Sequence, residues 1–335
     1  LKIYLTFMVI SHHVAQAYGD TGGAWLVFDS AKADFLGTFM YINASYLMAL
    51  YFFISGYFTY PSLSKKGTLG FLKDRLVRLA VPCLIFGLCV FVPLHYFLNG
   101  SKGSILSFAQ ELYFHKPPLA VGHLWFVLSL LAYSIILSFL VRFITKEGKT
   151  FKPIYPFLLF SLMCIFNLIL RHKYTLDIWK TWIIPVEVAH IPNYFLAFMA
   201  GYYVNQQKWL ENFDGKLALL YLPLLIVGII IREFMPSLYS RIYFENSIFI
   251  SLSLFLIYFF RKINLKNRRP LQVLAENTYG AYLVHLTIVL AFQYAIIDLP
   301  LSGATKFFLL SFICFFVSMG VSYLLRTYAP LKRII

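Results

Sequence analysis

Leu1-Lys2-Ile3-Tyr4-Leu5-Thr6-Phe7-Met8-Val9-Ile10-Ser11-His12-His13 sets one cation, an almost wholly apolar run and then two histidines on a single segment. On a helix the advance from Lys2 to His13 is about three turns and ~16 Å. The two residues therefore share nearly one stripe, Lys2 near a membrane surface and His13 about half a bilayer deep. An ionisable group at that depth is costly, which makes a functional role the default reading. A histidine pair at a wetted helix end is the alternative that the segment alone leaves open.

The rest of the chain supports a membrane setting. Of its 335 residues, 60% are hydrophobic and only 13% charged, and the mean hydropathy is +0.73. That balance excludes an ordinary soluble domain and predicts an all-α polytopic membrane protein, one domain over residues 1–335 with about ten transmembrane helices. Cys83, Cys89, Cys164 and Cys314 lie inside apolar runs without zinc spacing or a secreted pairing pattern, so no metal is expected. The chain opens at Leu1 rather than methionine, which predicts a short upstream segment. No small-residue cleavage site follows the first helix, so that helix reads as a retained span.

A net charge of +15 would fit a nucleic-acid binder, but its distribution points elsewhere. Assigning residue 2 and the segments 61–78, 142–152, 205–216, 261–276 and 326–335 to the cytoplasm collects 20 of the 29 Lys and Arg, but only 5 of the 14 acidic residues. This positive-inside asymmetry predicts cytoplasmic termini, and basic loops facing anionic lipid explain the charge without nucleic acid.

Helix two, roughly 34–60, is polar for a span, with Tyr41, Asn43, Ser45, Tyr46, Tyr51 and Ser55. Such groups face a wet cavity or bond neighbouring helices. Beyond it, Arg75 and Arg78 share a helical face, with Lys73 beside them. A planar guanidinium donates two parallel hydrogen bonds and suits phosphate; snorkelling at the boundary is the plainer reading. Outer segments carry Tyr18, Trp25, Trp125, Trp179 and Trp182, as an aromatic belt or as platforms for sugar rings. Glu187 and His190, three apart, make a carboxylate–imidazole pair. A long outside loop is expected over 99–121, helix seven at about 216–235, helix eight at about 245–260, and a short amphipathic piece before helix nine. No phosphate-cradling Gly-rich loop, G-x-S-x-G elbow or H-E-x-x-H occurs.

Five motifs then fall in one order: Lys2-x10-His13, Phe52-Phe53-Ile54-Ser55-Gly56, Arg75-x-x-Arg78, His123-Leu124-Trp125-Phe126 and Tyr279-x-x-Tyr282-Leu283-x-His285. Together they resemble the acyltransferase-3 family of integral membrane O-acyltransferases from Lys2 to about Leu325. His12-His13, Tyr18-Gly19, Thr21-Gly22-Gly23 and the Glu187–Tyr194 stretch look closest to the branch that includes periplasmic-glucan succinyltransferases. The resemblance implies an inner-membrane, multi-pass enzyme that takes an acyl group from cytoplasmic acyl-CoA, acetyl or succinyl, to a hydroxyl of an envelope glycan. Two departures stand out. The basic position is Lys2 where the family often has Arg, and the hydrolase-like outer domain of some members is missing, which implies direct delivery, an envelope-biosynthesis partner or a homo-oligomer.

On that resemblance His13 is the general base, with Lys2 at the cytoplasmic end of the same helix. Arg75, Arg78 and Lys73 hold the coenzyme A phosphates. Ser55, Trp125, Glu187, His190, Tyr18, Trp25 and His285 line the substrate path. Read without the resemblance, a lone histidine such as His285 in an apolar helix is more often a hydrogen-bonded core residue than a catalyst; the resemblance brings the two readings level. Two competing functions remain open. One is a transporter or flippase of an envelope polysaccharide precursor, although no repeated halves are visible. The other is an inactive assembly subunit.

Overall fold

The computed structural model describes residues 1–20, 25–98, 100–115, 122–144, 148, 150–174, 188–211, 213–263 and 268–328. Among them every regular element is helical. The long helices are α1 (Lys2–Tyr18), α2 (Phe35–Arg75), α3 (Trp125–Leu140), α4 (Tyr155–Lys173), α5 (Ile191–Gln206), α6 (Leu222–Phe234), α7 (Leu238–Lys262), α8 (Arg269–Ala295) and α9 (Gly303–Thr327). Among the described residues six helical stretches are long and apolar enough to cross a membrane: Phe35–Phe97, Gly122–Phe143, Tyr155–Lys173, Gly215–Phe234, Leu238–Lys262 and Gly303–Thr327. The first has 63 residues, against the ~20 that one crossing needs. The protein is a multi-pass, all-helical membrane protein.

Several boundaries differ from the sequence reading. Helix two does not stop near residue 60, because Pro61 is absorbed inside α2; a membrane helix tolerates proline where neighbouring groups satisfy the freed carbonyl. The reversal comes at Gly67, whose φ of 66° only glycine adopts cheaply. Sixteen residues of straight helix would part Thr59 and Arg75 by about 24 Å. Instead the Arg75 Nη2 donates to the Thr59 hydroxyl at 3.0 Å, so α2 folds back on itself. Over 76–98 the chain alternates π turns (Leu76–Ala80, Gly87–Phe91) with α turns (Val81–Phe86, Val92–Leu98). Pro82 and Pro93 follow those π turns, and a widened turn makes room where a proline ring would strike the carbonyl four residues back. Within 99–121, expected as an outside loop, the described residues contain a short helix, Ile105–Gln110, capped by Ser104. Helix seven is broken at Tyr221, between Gly215–Leu220 and α6. Helix eight starts earlier, at a Ser237–Ser240 capping box. The short amphipathic piece is the first part of α8, whose start Pro270 favours.

The chain packs as two compact units. One comprises Leu1–Ala44, Val81–Leu124 and Leu265–Ile335. In it α1, α8 and α9 pack pairwise around Ile10, Val14, Tyr18, Ala281, Val289, Leu310 and Cys314. The Ser322 hydroxyl donates to the Asn277 carbonyl oxygen at 2.9 Å and ties α9 to α8. The segment before α2 is anchored by a buried ion pair, Lys306 Nζ to Asp29 Oδ2 at 2.7 Å. Removing one partner of such a pair typically costs about 3–5 kcal/mol.

The other unit comprises Ser45–Ala80 and Trp125–Asn264. There α2 and α5 cross at glycine: a Cβ on Gly56 would run into the Phe198 carbonyl, and one on Gly201 into that of Phe53. Small residues let membrane helices approach backbone to backbone. Phe52 packs against Phe126, Tyr133 and Tyr194 at 4.6, 5.2 and 5.1 Å between ring centroids.

Candidate active site

In the first unit His13 stands on the last turns of α1 among aromatic rings. Trp25 stacks on it, centroids 5.5 Å apart and planes 20° from parallel. His285 of α8 lies 5.1 Å away, and His123 packs edge-on against His285 at 4.5 Å. Gly122 brings His123 in: its φ is +49°, and a Cβ there would strike the Phe91 ring. His285 has no exposed surface and His123 has 5%, whereas His13 is half-buried. Of the three imidazoles, His13 is the most exposed.

Hydrogen bonds assign the tautomers. His285 Nδ1 lies 2.5 Å from the Tyr282 carbonyl oxygen. A carbonyl only accepts, so Nδ1 carries the proton and Nε2 presents a lone pair. His123 Nε2 lies 3.2 Å from the Leu283 carbonyl oxygen, which leaves its Nδ1 lone pair bare. Tyr282 donates its hydroxyl to the His123 carbonyl oxygen and holds that turn. His285 Nε2, His123 Nδ1 and His13 Nδ1 are buried and find no partner among the described residues. Buried polar atoms are normally satisfied, so these ring nitrogens mark the polar part of the cluster. Among the described residues no set of three His, Cys, Asp or Glu side chains is arranged to hold a metal ion.

Gln293, fully buried in α8, was not foreseen. Its Oε1 accepts from the Trp25 indole at 2.8 Å, and its Nε2 donates to the Val14 carbonyl at 3.0 Å. One amide thus fixes both the Trp25 ring and the α1 backbone beside His13. A buried amide in an apolar helix is the signal that could have found it. His12 turns aside, its Nε2 accepting from Gln16 at 3.3 Å. Tyr18 is fully buried. Lys2 opens α1, eleven residues or ~16 Å from His13.

The second unit holds the basic residues. The Thr59 hydroxyl donates to the Ser55 carbonyl at 2.8 Å while accepting from Arg75, so Ser55 enters through its backbone. The Phe71 ring lies under the Arg75 guanidinium at 4.9 Å. Asp74 accepts from Lys66 at 2.8 Å and pairs with Arg78 at 3.3 Å, and Lys73 is exposed. Elsewhere in this unit Tyr194 stacks on His190 at 5.5 Å and lies 5.6 Å from Trp125, so two expected acceptor residues share one aromatic column. His190 also lies 3.4 Å from Arg171, a fully buried cation that pairs with Glu245. Glu187, Thr21 to Gly23, Trp179 and Trp182 lie outside the described residues.

A polytopic helical protein with a half-open imidazole cluster in one unit and a basic cluster in the other belongs among membrane-embedded proteins that carry a polar site. Residues 1–327 match the acyltransferase-3 family model, described as an acyltransferase domain, and the chain belongs to that family. It is 25% identical over 157 residues to glucans biosynthesis protein C of Salmonella typhi and of Salmonella typhimurium (strain LT2), covering 46% of this chain. The match spans 40% of the length of those relatives. No solved structure matches.

Proposed function

We propose that the protein is an inner-membrane O-acyltransferase that moves an acetyl or succinyl group from cytoplasmic acyl-CoA to a hydroxyl of an envelope glycan. The observation that carries this reading is the half-open His13 imidazole, clamped by Trp25 and backed by His285 and His123. A free His13 nitrogen takes the proton of the acceptor hydroxyl as the oxygen attacks the thioester carbonyl. The tetrahedral intermediate collapses, the C–S bond breaks, and the imidazolium returns the proton to the departing thiolate. The ester forms and coenzyme A leaves as the thiol. His285 and His123 spread the transient charge behind His13. Arg75 and Arg78, with Lys66 and Lys73, bind the phosphates of the donor, and His190, Tyr194 and Trp125 serve the acceptor. This reading takes α1, α5 and α8 as spans besides the most apolar stretches, giving ten crossings with both termini cytoplasmic. An envelope-biosynthesis partner or a second copy of the chain presents the acceptor.

The test is mass spectrometry of envelope glycans from cells carrying wild type or His13→Ala at equal membrane abundance. Loss of the added acyl mass, by about a hundredfold or more, is expected. Acylation at the wild-type level would overturn the assignment. Coenzyme A should raise the unfolding temperature of the detergent-solubilised protein; a flippase of a glycan precursor would not respond.

A further inference from the structure

The second unit contains a cavity that the acyl-transfer reading does not use. It measures about 360 Å³ and is walled by Phe53, Leu159, Tyr203, Trp209, Phe249 and Ile250. Four of its residues (Phe151, Trp209, Phe213 and Leu217) also line a second cavity of about 750 Å³ whose rim carries Lys208, Lys216 and Asp214. The two therefore adjoin along a shared wall, one apolar and the other with a charged rim. The join lies where helices end: α5 closes at Gln206 and α7 at Lys262, the level at which lipid headgroups sit. Inside the apolar part Ser253, 6% exposed, has a buried hydroxyl that finds no partner among the described residues. Serines in membrane helices ordinarily bond back to a carbonyl one turn earlier, as Ser134 and Ser138 do here.

We propose that this compartment binds an anionic glycerophospholipid. Lys208 and Lys216, both exposed, outnumber Asp214 at the rim and meet the phosphate. Asp214 is itself engaged in capping, accepting from the Lys216 backbone N–H at 3.3 Å. The Ser253 hydroxyl donates to an ester carbonyl, and an acyl chain runs between Phe53, Leu159 and Phe249. The excess of cations at the rim favours an anionic over a zwitterionic headgroup. The ring geometry disfavours a nucleotide base, because Trp209 is already met by Tyr155 at 5.0 Å, Phe151 at 5.2 Å and Tyr203 at 5.2 Å.

The experiment uses the full chain, delipidated in detergent, with thermal unfolding and native mass spectrometry as readouts. The added probes are dioleoylphosphatidylglycerol, dioleoylphosphatidylcholine, inorganic phosphate or coenzyme A. Phosphatidylglycerol should be retained and should raise the unfolding temperature more than phosphatidylcholine, with no response at this site to phosphate. Lys208→Gln combined with Lys216→Gln, at exposed positions that leave the packing intact, should weaken phosphatidylglycerol about tenfold or more. Val204→Phe, which fills the apolar part, should reduce retention of both lipids. Equal retention of the two lipids by wild type would overturn the proposal. So would full phosphatidylglycerol preference in the double variant, or a phosphate or coenzyme A response that the double variant abolishes. None of these readouts depends on acyl transfer, so the lipid site and the enzyme assignment stand or fall separately.

Discussion

An amide buried in a membrane helix must satisfy both of its polar ends, and Gln293 does so across the two sides of the His13 pocket, toward Trp25 and toward Val14. Replacing it with leucine keeps the bulk and removes both bonds. Each neutral hydrogen bond contributes about 1 kcal/mol, a modest stability loss, but the effect on catalysis is expected to be larger. An untethered Trp25 no longer holds the His13 ring, and small misplacements of a catalytic group cost about a hundredfold. Gln293→Leu should therefore lower kcat with little change in the KM for acyl-CoA, because the basic cluster is untouched. A rise in KM at constant kcat would show that Gln293 serves binding instead. The apolar run from Lys2 marks His12 and His13 as costly at mid-membrane depth, and the choice of His13 between them comes from the family resemblance. His123 and Gln293 are not marked in this way, because their partners lie far along the chain and only tertiary packing brings them in.

At the scale of elements, the apolar runs and their breaks placed the helices, while the devices that shape them stayed hidden. The sequence reading ends helix two near residue 60, whereas the helix runs through Pro61 and Gly67 makes the reversal that returns Arg75 to Thr59. The Phe52–Gly56 stretch entered as a family motif with Ser55 on the substrate path, yet Gly56 and Gly201 are where two backbones touch. Periodicity reports which face is apolar; it does not report how closely a neighbour approaches. Alanine at either glycine should cost at least the ~1–3 kcal/mol typical of overpacking, since the obstructing atoms are carbonyls rather than flexible side chains. Both substitutions open the same crossing, so Gly56→Ala with Gly201→Ala should cost less than the sum of the singles. Gly320→Ala, where a Cβ meets nothing within 4 Å, is the control and should be nearly silent. Thermal unfolding of the four variants in one detergent reads this out, and strictly additive losses would mean that the glycines do not share a gap.

For the whole molecule the deciding quantity is the side of the membrane from which each substrate arrives. Lys and Arg concentrate in one set of loops, including the segment with Arg75 and Arg78, while Trp25 and His190 fall in the other set. On the proposed topology the charge asymmetry turns the first set toward the cytoplasm. Acyl-CoA, multiply anionic, does not cross a bilayer unaided because its charges would be desolvated. Vesicles prepared in the two orientations from cells expressing the protein should therefore differ. Inverted vesicles, with the basic loops outward, should consume added acyl-CoA and release free thiol when a glycan acceptor is enclosed. Right-side-out vesicles should not, until a detergent below its solubilising concentration admits the donor. Consumption by right-side-out but not by inverted vesicles would place the donor site on the outer face and reverse the membrane orientation inferred from charge. Consumption by inverted vesicles that no longer needs an enclosed acceptor would show water replacing the glycan hydroxyl at His13. The loss of that background in His13→Ala would then tie both reactions to the same imidazole.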